Sequence, residues 1–507
     1  MDDTPAPRLA ETLAEAEDAL LSRWPETRLE PSLDRIRALM ELLGEPQRSF
    51  RTIHLTGTNG KTSTSRMVDA LLRAVELRTG RFTSPHLESI NERISVDGEP
   101  LSDEAFVRAF NDVAPYLALV DEDQPFPMSF FESVVGMAYA AFADAPVDVA
   151  VVEVGMGGTW DATNVVDGDV AVVLPIAVDH AKYLGGTPEA IAHEKAGIIK
   201  PGASLVVAAQ LPEVAEVLLK QAAAVGATVA REGVEFGVVS RTPALGGQTV
   251  SLQGLRARYD DLFLPLYGAH QAQNAAIALA AVEAFLGGSE ALSPDVVAAA
   301  FAQVSSPGRL EIVRRSPTVL LDAAHNPAGA EATAAALEDS FTFRPLVGVL
   351  GVMADKDVEE LLVALEPQLD QVVCTQNSTP RCMPAAELAE VAVGVFGEDR
   401  VHVQPHLPDA IAEATALAES ADGGGASIGS GAVLVTGSVI TAGEARTLLA
   451  PRRPARSVGP SVVLTRGEET LELEDDEEGG GDLSEVSLEA LLRDTLSDGL
   501  HGSGEDE

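Results

Sequence analysis

Four short runs near the middle of the chain, RTIHL (51–55), VDVAVVEVG (147–155), DVAVVLPIAV (169–178) and ASLVVAAQ (203–210), are apolar along most of their length and are separated by helical stretches. A strand that is hydrophobic on successive residues has no polar face to give to water, so both faces must be covered; that is the situation of a parallel sheet inside an α/β layer. Residues 8–43 read as helical before the first run, with SLDRIRALMELLG ending at a capping glycine, Gly44. Residues 232–268 contain short alternating segments with LGGQ and DD turns and are expected to form an antiparallel extension, followed by the helix GAHQAQNAAIALAAVEAFLG. SSPGR (305–309) reads as a boundary, because proline and glycine cluster between two regular regions. A second alternation follows it, through PTVLLDAAHNP, RPLVGVLGVMADKD, QVVCTQ, RVHV and AVLVTGS. The expected architecture is therefore α/β: a mostly parallel, P-loop-containing sheet domain with N-terminal helices over 1–306, then a smaller Rossmann-like domain over 307–450. Residues 451–507, rich in acid, glycine and serine, are expected to be a disordered acidic tail, with 482–496 able to form one amphipathic helix.

The net charge of −43, from 78 acidic and 35 basic residues, argues against a general nucleic-acid or anionic-membrane binder. Salt-adapted proteins share such acidity. An anionic ligand would have to be held locally, by backbone dipoles, a metal or a few placed cations. The two cysteines, Cys374 and Cys382, are too few for a disulfide framework and lack a metal-ligand pattern, which suits a reducing cytoplasm. The first residues, MDDTPAPRLAETLAEAEDALL, lack the basic and apolar regions of a secretion signal, and no apolar run approaches the ~20 residues of a membrane span.

The segment RTIHLTGTNGKTSTSRMVDALLRAV (51–75) runs from strand through a glycine-bearing turn into a helix with Met67, Leu71, Leu72 and Val75 on one face. That order puts the unpaired N–H groups of a helix start at the turn, where they can bind phosphate, and Lys61 would add a point charge. The strict P-loop pattern wants glycine at position 55, where Leu55 stands, so an ordinary polar turn remains open on the pattern alone. In open α/β sheets, ligands bind beyond the carboxyl ends of the strands. Glu153 is placed there by its strand, and Asp179 and His180 by the next. A carboxylate and an imidazole converging on a triphosphate suggest Mg2+, which prefers oxygen ligands; each residue alone would more commonly be just solvated or hydrogen-bonded.

In order, GTNGK at 57, TSPHL at 83, NERI at 91, FFE at 130, EVGMGG…DATN at 153, DHAKYLGGT at 179, IAHEKAGIIK at 191, GAHQAQN at 268, PGRLE at 307, DAAHNP at 322, DKD at 355 and TGS at 436 resemble the folylpolyglutamate synthase/dihydrofolate synthase family of the Mur ligase superfamily. The resemblance spans residues 32–450. It implies an ATP-dependent amide ligase that adds L-glutamate to a folate or dihydropteroate carboxylate through an acyl phosphate. ATP and Mg2+ would be the cofactors, small molecules the only partners, and the chain a cytoplasmic monomer.

Carried onto this sequence, the resemblance gives the ATP phosphates to the backbone around Thr58, Asn59, Gly60, Lys61 and Thr62, and gives nucleotide contacts to Asn274, Arg309 and Asp322. Ser84, Glu153 and His180 resemble the magnesium ligands. Lys195 matches a lysine that the family carries as a carbamate; burial would lower the amine's pKa and let the neutral form take up carbon dioxide. A lysine paired with Glu194 on a helix surface is the plain alternative. Lys61, His180 and Lys195 are the expected catalytic set. Phe131 and Glu132 would lie on the substrate side, with His325 and Ser438 near the incoming glutamate; HNP could equally be a helix start.

Thr62 stands where the folate enzymes usually have glycine and cell-wall Mur ligases have threonine, so it competes with Ser84 for the metal. Thr159 replaces a common arginine on the pterin side. A cell-wall Mur ligase, an unrelated NTPase and a non-catalytic nucleotide-binding protein remain as rivals at this level.

Overall fold

The computed structural model describes residues 9–25, 30–288, 290–420 and 431–450, together with the backbone of 462–466 and 469–473. Residues 9–450 belong to one compact unit. Its first sheet has eight strands: β1 (Arg51–Thr56), β2 (Thr79–Phe82), β3 (Ile94–Val96), β4 (Glu99–Pro100), β5 (Val149–Glu153), β6 (Val170–Val173), β7 (Ser204–Val207) and β8 (Thr228–Arg231). The spatial order is β4-β3-β2-β5-β1-β6-β7-β8, parallel from β2 to β8, with β3 and β4 antiparallel at one edge.

Successive residues of these strands enter different cores, which is why the runs are apolar throughout. Ile53, Leu55, Val149, Val151, Val170 and Val172 pack with the helices Lys61–Ala74, Ala269–Leu286 and Pro294–Ala302. Ala150 and Val152 face the helices Asp34–Leu42, Asp103–Asp123 and Phe130–Asp144 on the other side, while Ala171, Val173, Leu205 and Val207 cover Pro188–Lys195 and Pro212–Val225. Each such Val or Leu contributes about 1.5–3 kcal/mol relative to exposure. β1 differs: its second face carries the buried polar residues Thr52, His54 and Thr56.

A separate three-stranded antiparallel sheet follows, β9 (Gly237–Ala244), β10 (Gly247–Gln253) and β11 (Arg258–Leu264). It is antiparallel as the sequence suggests, but it is not an extension of the first sheet; it packs through Val250, Leu252, Tyr259, Leu262 and Leu264 on the same core as the helix Ala269–Leu286. The last large sheet, ordered β12-β13-β17-β14-β15-β16, comprises β12 (Glu311–Arg315), β13 (Thr318–Leu321), β14 (Leu346–Leu350), β15 (Gln371–Gln376), β16 (Val401–His406) and β17 (Ala432–Thr436). It is parallel except for β12, and helices cover both faces.

The N-terminal stretch is two helices, Leu13–Leu21 and Asp34–Leu42, rather than a continuous helical region. Val75 caps its helix and is only partly buried, while Met67, Leu71 and Leu72 are fully inside. In the unit formed by 451–507, the described backbone is a hairpin of β18 (Val462–Arg466) and β19 (Glu469–Leu473). The expected helix at 482–496 lies outside the described residues. Among the described residues no helix is long and apolar enough to cross a membrane.

Candidate active site

β1 is flanked by β5 and β6, and its onward connection goes to β2 on one side while β6 leads to β7 on the other. Such a reversal of direction leaves a crevice at the carboxyl ends of the strands. The loop Gly57–Gly60 occupies it. Thr58 N–H donates to Pro175 O (3.0 Å) and its hydroxyl to Ala177 O (2.9 Å), which pins the loop to the chain leaving β6. Gly60, at φ 88°, is left-handed, and a Cβ there would stand 2.7 Å from Asn274 Oδ1, so backbone strain and space both demand glycine. No side chain caps the helix Lys61–Ala74, so its first N–H groups are available to an anion.

Two lysines share one loop carbonyl. Lys61 Nζ donates to Gly57 O (3.0 Å) and Thr58 O (3.2 Å), and Lys195 Nζ donates to Gly57 O at 2.9 Å. Burial lowers the pKa of both. For Lys195 burial, reinforced by the Lys61 charge, brings it to about 7. Lys195 is therefore a buried group at the loop, and the surface pair with Glu194 is not formed.

Glu153, the last residue of β5, is 1% exposed. It accepts from Thr83 Oγ1 (2.5 Å) and from Thr62 Oγ1 (3.0 and 3.2 Å). Burial raises its pKa, opposed by Lys61 and by these hydroxyls. Asp179 and His180 are not at the tip of β6, which ends at Val173; they sit in the following loop, His180 at φ 51°, before the helix Ala181–Leu184. Burial brings His180 down to about 4, so its imidazole is neutral at pH 7.

The smaller sheet domain reaches the same place. Lys356 Nζ meets Asp179 Oδ1 at 2.6 Å, each side chain 10% exposed. Asn326 Nδ2 donates to Asp179 Oδ2 (3.0 Å) and to Asn59 Oδ1 (3.1 Å), and Asn59 Nδ2 returns a bond to Asn326 Oδ1 (3.0 Å). Although burial pushes the Asp179 carboxyl up, His180, Lys356 and His325 together hold it well below the usual carboxylate range. Asp322 accepts from Leu310 N, Ala324 N and Thr333 Oγ1, which fixes its carboxylate. His325 Nδ1 lies 3.0 Å from Ala323 O. A carbonyl can only accept, so Nδ1 carries the proton and Nε2 is left as an acceptor; burial lowers this imidazole to about 4.

One cleft is lined by Thr58, Asn59, Gly60, Lys61, Thr62, Ser84, Glu153, His180, Lys195, Asn274, Arg309, Asp322 and His325. A second cavity of about 410 Å³ shares Ser84, His180 and His325 with it and adds Trp24, Arg35, Arg93, Phe131, Glu132, Trp160, Lys356, Arg381 and Ser438. Phe131, Glu132 and Ser438 are thus in the second space and not the first. Glu132 is committed to the fold, paired with Arg35 (2.9 Å) and capping Ser129 N. Ser438 caps the helix Val439–Leu449 through Thr441 N and accepts from Asn377 Nδ2. The HNP segment is a helix start as well, with Asn326 capping Pro327–Ser340.

Sequence reasoning singled out neither Thr83, Arg93, Asn326 nor Lys356. All four lie inside motifs already quoted, TSPHL, NERI, DAAHNP and DKD; for Thr83, Asn326 and Lys356 the missing signal was the pairing partner, which comes from a distant segment, whereas Arg93 donates to the nearby His86. Among the described residues no three acidic, histidine or cysteine side chains form a metal cage. The donor set of Glu153, the Thr62 and Ser84 hydroxyls and a neutral His180 still fits Mg2+, which usually takes one or two carboxylates and completes its shell with substrate phosphates and water.

A parallel α/β sheet with an anion-ready loop at its reversal point, faced by a second α/β domain that contributes to the same cleft, defines a Mur-ligase-type enzyme. Residues 130–282 match the Mur ligase middle domain and 308–439 the Mur ligase glutamate ligase domain. The chain is 53% identical over 432 residues to the dihydrofolate synthase/folylpolyglutamate synthase of Mycobacterium tuberculosis, covering 82% of this chain and 89% of that protein. It superposes with a TM-score of 0.83, at 52% identity, on M. tuberculosis folylpolyglutamate synthase complexed with ADP and AMPPCP, covering 87% of this chain and 99% of that one. The Escherichia coli enzyme solved with DHPP and ADP gives a TM-score of 0.76 at 30% identity, over 87% of this chain and 98% of that one. The chain belongs to the dihydrofolate synthase/folylpolyglutamate synthase family.

Proposed function

We propose that this protein is an ATP-dependent amide ligase that joins L-glutamate to the carboxylate of a folate or of dihydropteroate. One observation carries the reading: the loop after β1, Glu153, His180 and Lys195 share a single cleft with Arg309, Asp322 and His325 of the second domain, and that cleft opens onto an aromatic and basic cavity. A carboxylate acylates poorly because its leaving group would be hydroxide. Transfer of the ATP γ-phosphoryl to a carboxylate oxygen gives an acyl phosphate and ADP; the glutamate amine then attacks the acyl carbon, phosphate leaves, and the amine's proton is lost.

The first helix N–H groups and Lys61 would hold the phosphates, with Arg309 and Asp322 toward the rest of the nucleotide. Mg2+, when bound, would neutralise phosphate charge, held by Glu153 and His180 with Ser84 or Thr62. Neutral His325, whose unprotonated Nε2 stands 3.7 Å from Asp179 Oδ2, would orient the incoming glutamate amine. The Asp179–Lys356 and Asn59–Asn326 contacts would keep the second domain over the cleft and water out of it. Trp24, Phe131 and Trp160 suit a flat heteroaromatic acceptor, and Arg93 and Arg381 its anionic tail. We place the domain boundary at 306/307, where SSPGR leaves the first domain. Its two cysteines are free thiols, which supports a cytoplasmic setting.

The test is incubation with ATP, Mg2+ and L-glutamate and each pterin acceptor in turn, following phosphate release and product mass. Gain of one glutamate per phosphate released is expected. Stimulation by neither acceptor, with turnover of a UDP-linked peptide precursor, would move the protein to the cell-wall branch.

A further inference from the structure

The loop that carries Ser84 is gripped by the ligase domain at a point the reaction scheme above does not use. Three of its amides, on Leu87, Glu88 and Ser89, donate to the Glu92 carboxylate at 2.9–3.0 Å, so the turn is closed on itself. Its tip lies on the helix Val439–Leu449. A Cβ added at Gly443 would overlap the Leu87 carbonyl oxygen, and one at Gly308 would stand 3.2 Å from both δ-carbons of Leu87. Only glycine lets the helix and the loop approach this closely. Beside that contact, Arg446 pairs with Glu88 and, through Nε, with Glu311 (3.0 Å), while Thr447 Oγ1 donates to Glu88 Oε1 (3.3 Å). Ser438, tied to Asn377, caps the same helix, so the gripping surface is itself anchored. At the loop's other end, Thr83 bonds Glu153, and Ser84 lines both the nucleotide cleft and the acceptor cavity.

We propose that Leu87 and Glu88, docked on Gly308, Gly443 and Arg446, are positioning residues through which the ligase domain sets the place of Thr83 and Ser84 at the phosphate site. Docking and assembly of the reaction centre are then one event: the domain that brings the glutamate side also places a hydroxyl donor at the nucleotide. This inference rests on the ligase reading for its kinetic arm and on geometry alone for its structural arm.

The test compares the full chain with Gly443→Ala and, because a crowded helix can be poorly tolerated, with Leu87→Ala, which empties the socket without adding bulk. Gly394→Ala, at a helix position with nothing near an added Cβ, is the control and should match the parent. Amide hydrogen exchange over 84–92, read without substrates, should speed up by about tenfold in both docking variants. kcat should fall by about tenfold to a hundredfold, as expected when a reacting centre is displaced by about 1 Å. The Mg2+ concentration for half-maximal rate should rise, and ADP affinity without Mg2+ should stay at the parent value. Unchanged exchange in both variants overturns the docking; faster exchange with parental kcat and Mg2+ requirement overturns the coupling. The exchange arm reads even if the protein proves to use another acceptor.

Discussion

The two adjoining cavities are built in opposite ways. The nucleotide cleft takes its floor from one contiguous stretch, Gly57 to Thr62, and adds residues from strand ends, from the loops that follow them and from helices, as at Lys195 and Asn274. The acceptor cavity is collected from at least six separated segments, with Trp24, Arg35, Arg93, Phe131, Trp160 and Arg381 each on a different one. A backbone cradle binds phosphate through groups every residue possesses, so it needs only a turn and a glycine in the right place. A shaped aromatic pocket depends on side chains, and on where the fold delivers them. The first should therefore be intolerant and independent of the acceptor, the second graded and selective.

The largest effect is expected at the cradle. Lys61→Ala should lower ATP-dependent phosphate release by at least ~10³-fold with either acceptor, because in the proposed reaction the ammonium would stabilise charge that develops on the transferring phosphoryl. Glu153→Gln should be as damaging to rate, yet its thermal midpoint should equal or exceed the parent's. Burial raises the Glu153 pKa, so above the ordinary carboxylate range this carboxyl costs the folded state stability that a neutral glutamine does not. A melting curve beside a phosphate-release assay checks both; a Gln variant that loses stability and activity together would break the proposed trade.

Next comes Lys195, whose pKa of about 7 makes the neutral amine the minority form below neutrality and the majority form above it. If it is carbamylated, which needs the neutral amine, rate should rise with pH through about 7 and fall in carbon-dioxide-free buffer. Lys195→Met should lose about a hundredfold and lose that pH dependence with it. A parental pH profile in the variant would reassign the titration.

The contrast between the cavities also explains what could be seen in the sequence. Strands buried on two faces were visible as unalternating runs, as at Val149–Glu153 and Val170–Val173, and each of the five runs expected in the second domain overlaps a strand. β2, β3, β4, β8 and β12 were missed; Thr79–Phe82 holds a glycine and an arginine, and Thr228–Arg231 is at a sheet edge, so neither has a continuous apolar signal. Residues of the cleft were legible where chemistry is local, as in Gly60-Lys61 next to a helix start. Asn326 and Lys356 were not, because their meaning lies in Asn59 and Asp179, 267 and 177 residues away in the chain and joined to them by the packing of two domains.

That interdomain pair supplies the third test. Lys356→Met leaves Asp179 buried without its cation, and breaking a buried pair costs about 3–5 kcal/mol when nothing relaxes. Here the domain can swing away, so part of that cost should appear as a smaller closed population and not as unfolding. A fall in kcat of about tenfold to a hundredfold with both acceptors is expected, with little change in the melting midpoint. Since cations hold the Asp179 pKa low, the contribution of the contact is present above the ordinary carboxylate pKa and is lost as pH falls through the lowered one. Equal loss of stability and rate would make the pair an ordinary core interaction.

The smallest effect belongs to the acceptor side, and it is the one that separates the two cavities most sharply. Phe131 stands edge-on to Phe82, with ring centroids 5.9 Å apart, and its ring tip lies where a Cβ on Gly155 would be. The ring is therefore held in one place by two elements, the helix Phe130–Asp144 and the chain leaving β5, and offers a fixed surface to a planar ligand. Losing such a contact costs about 0.5–1.5 kcal/mol of binding, which is about a twofold to tenfold change in KM. Phe131→Ala should accordingly raise KM for the pterin acceptor by up to about tenfold while KM for ATP and kcat stay within about twofold of the parent. The ratio of dihydropteroate to folate turnover should shift as well, because a wall shared by two acceptors of different length seldom stabilises both equally. If ATP and acceptor KM rise together, the two spaces are a single site energetically, and the division drawn between a backbone cradle and a side-chain pocket does not hold.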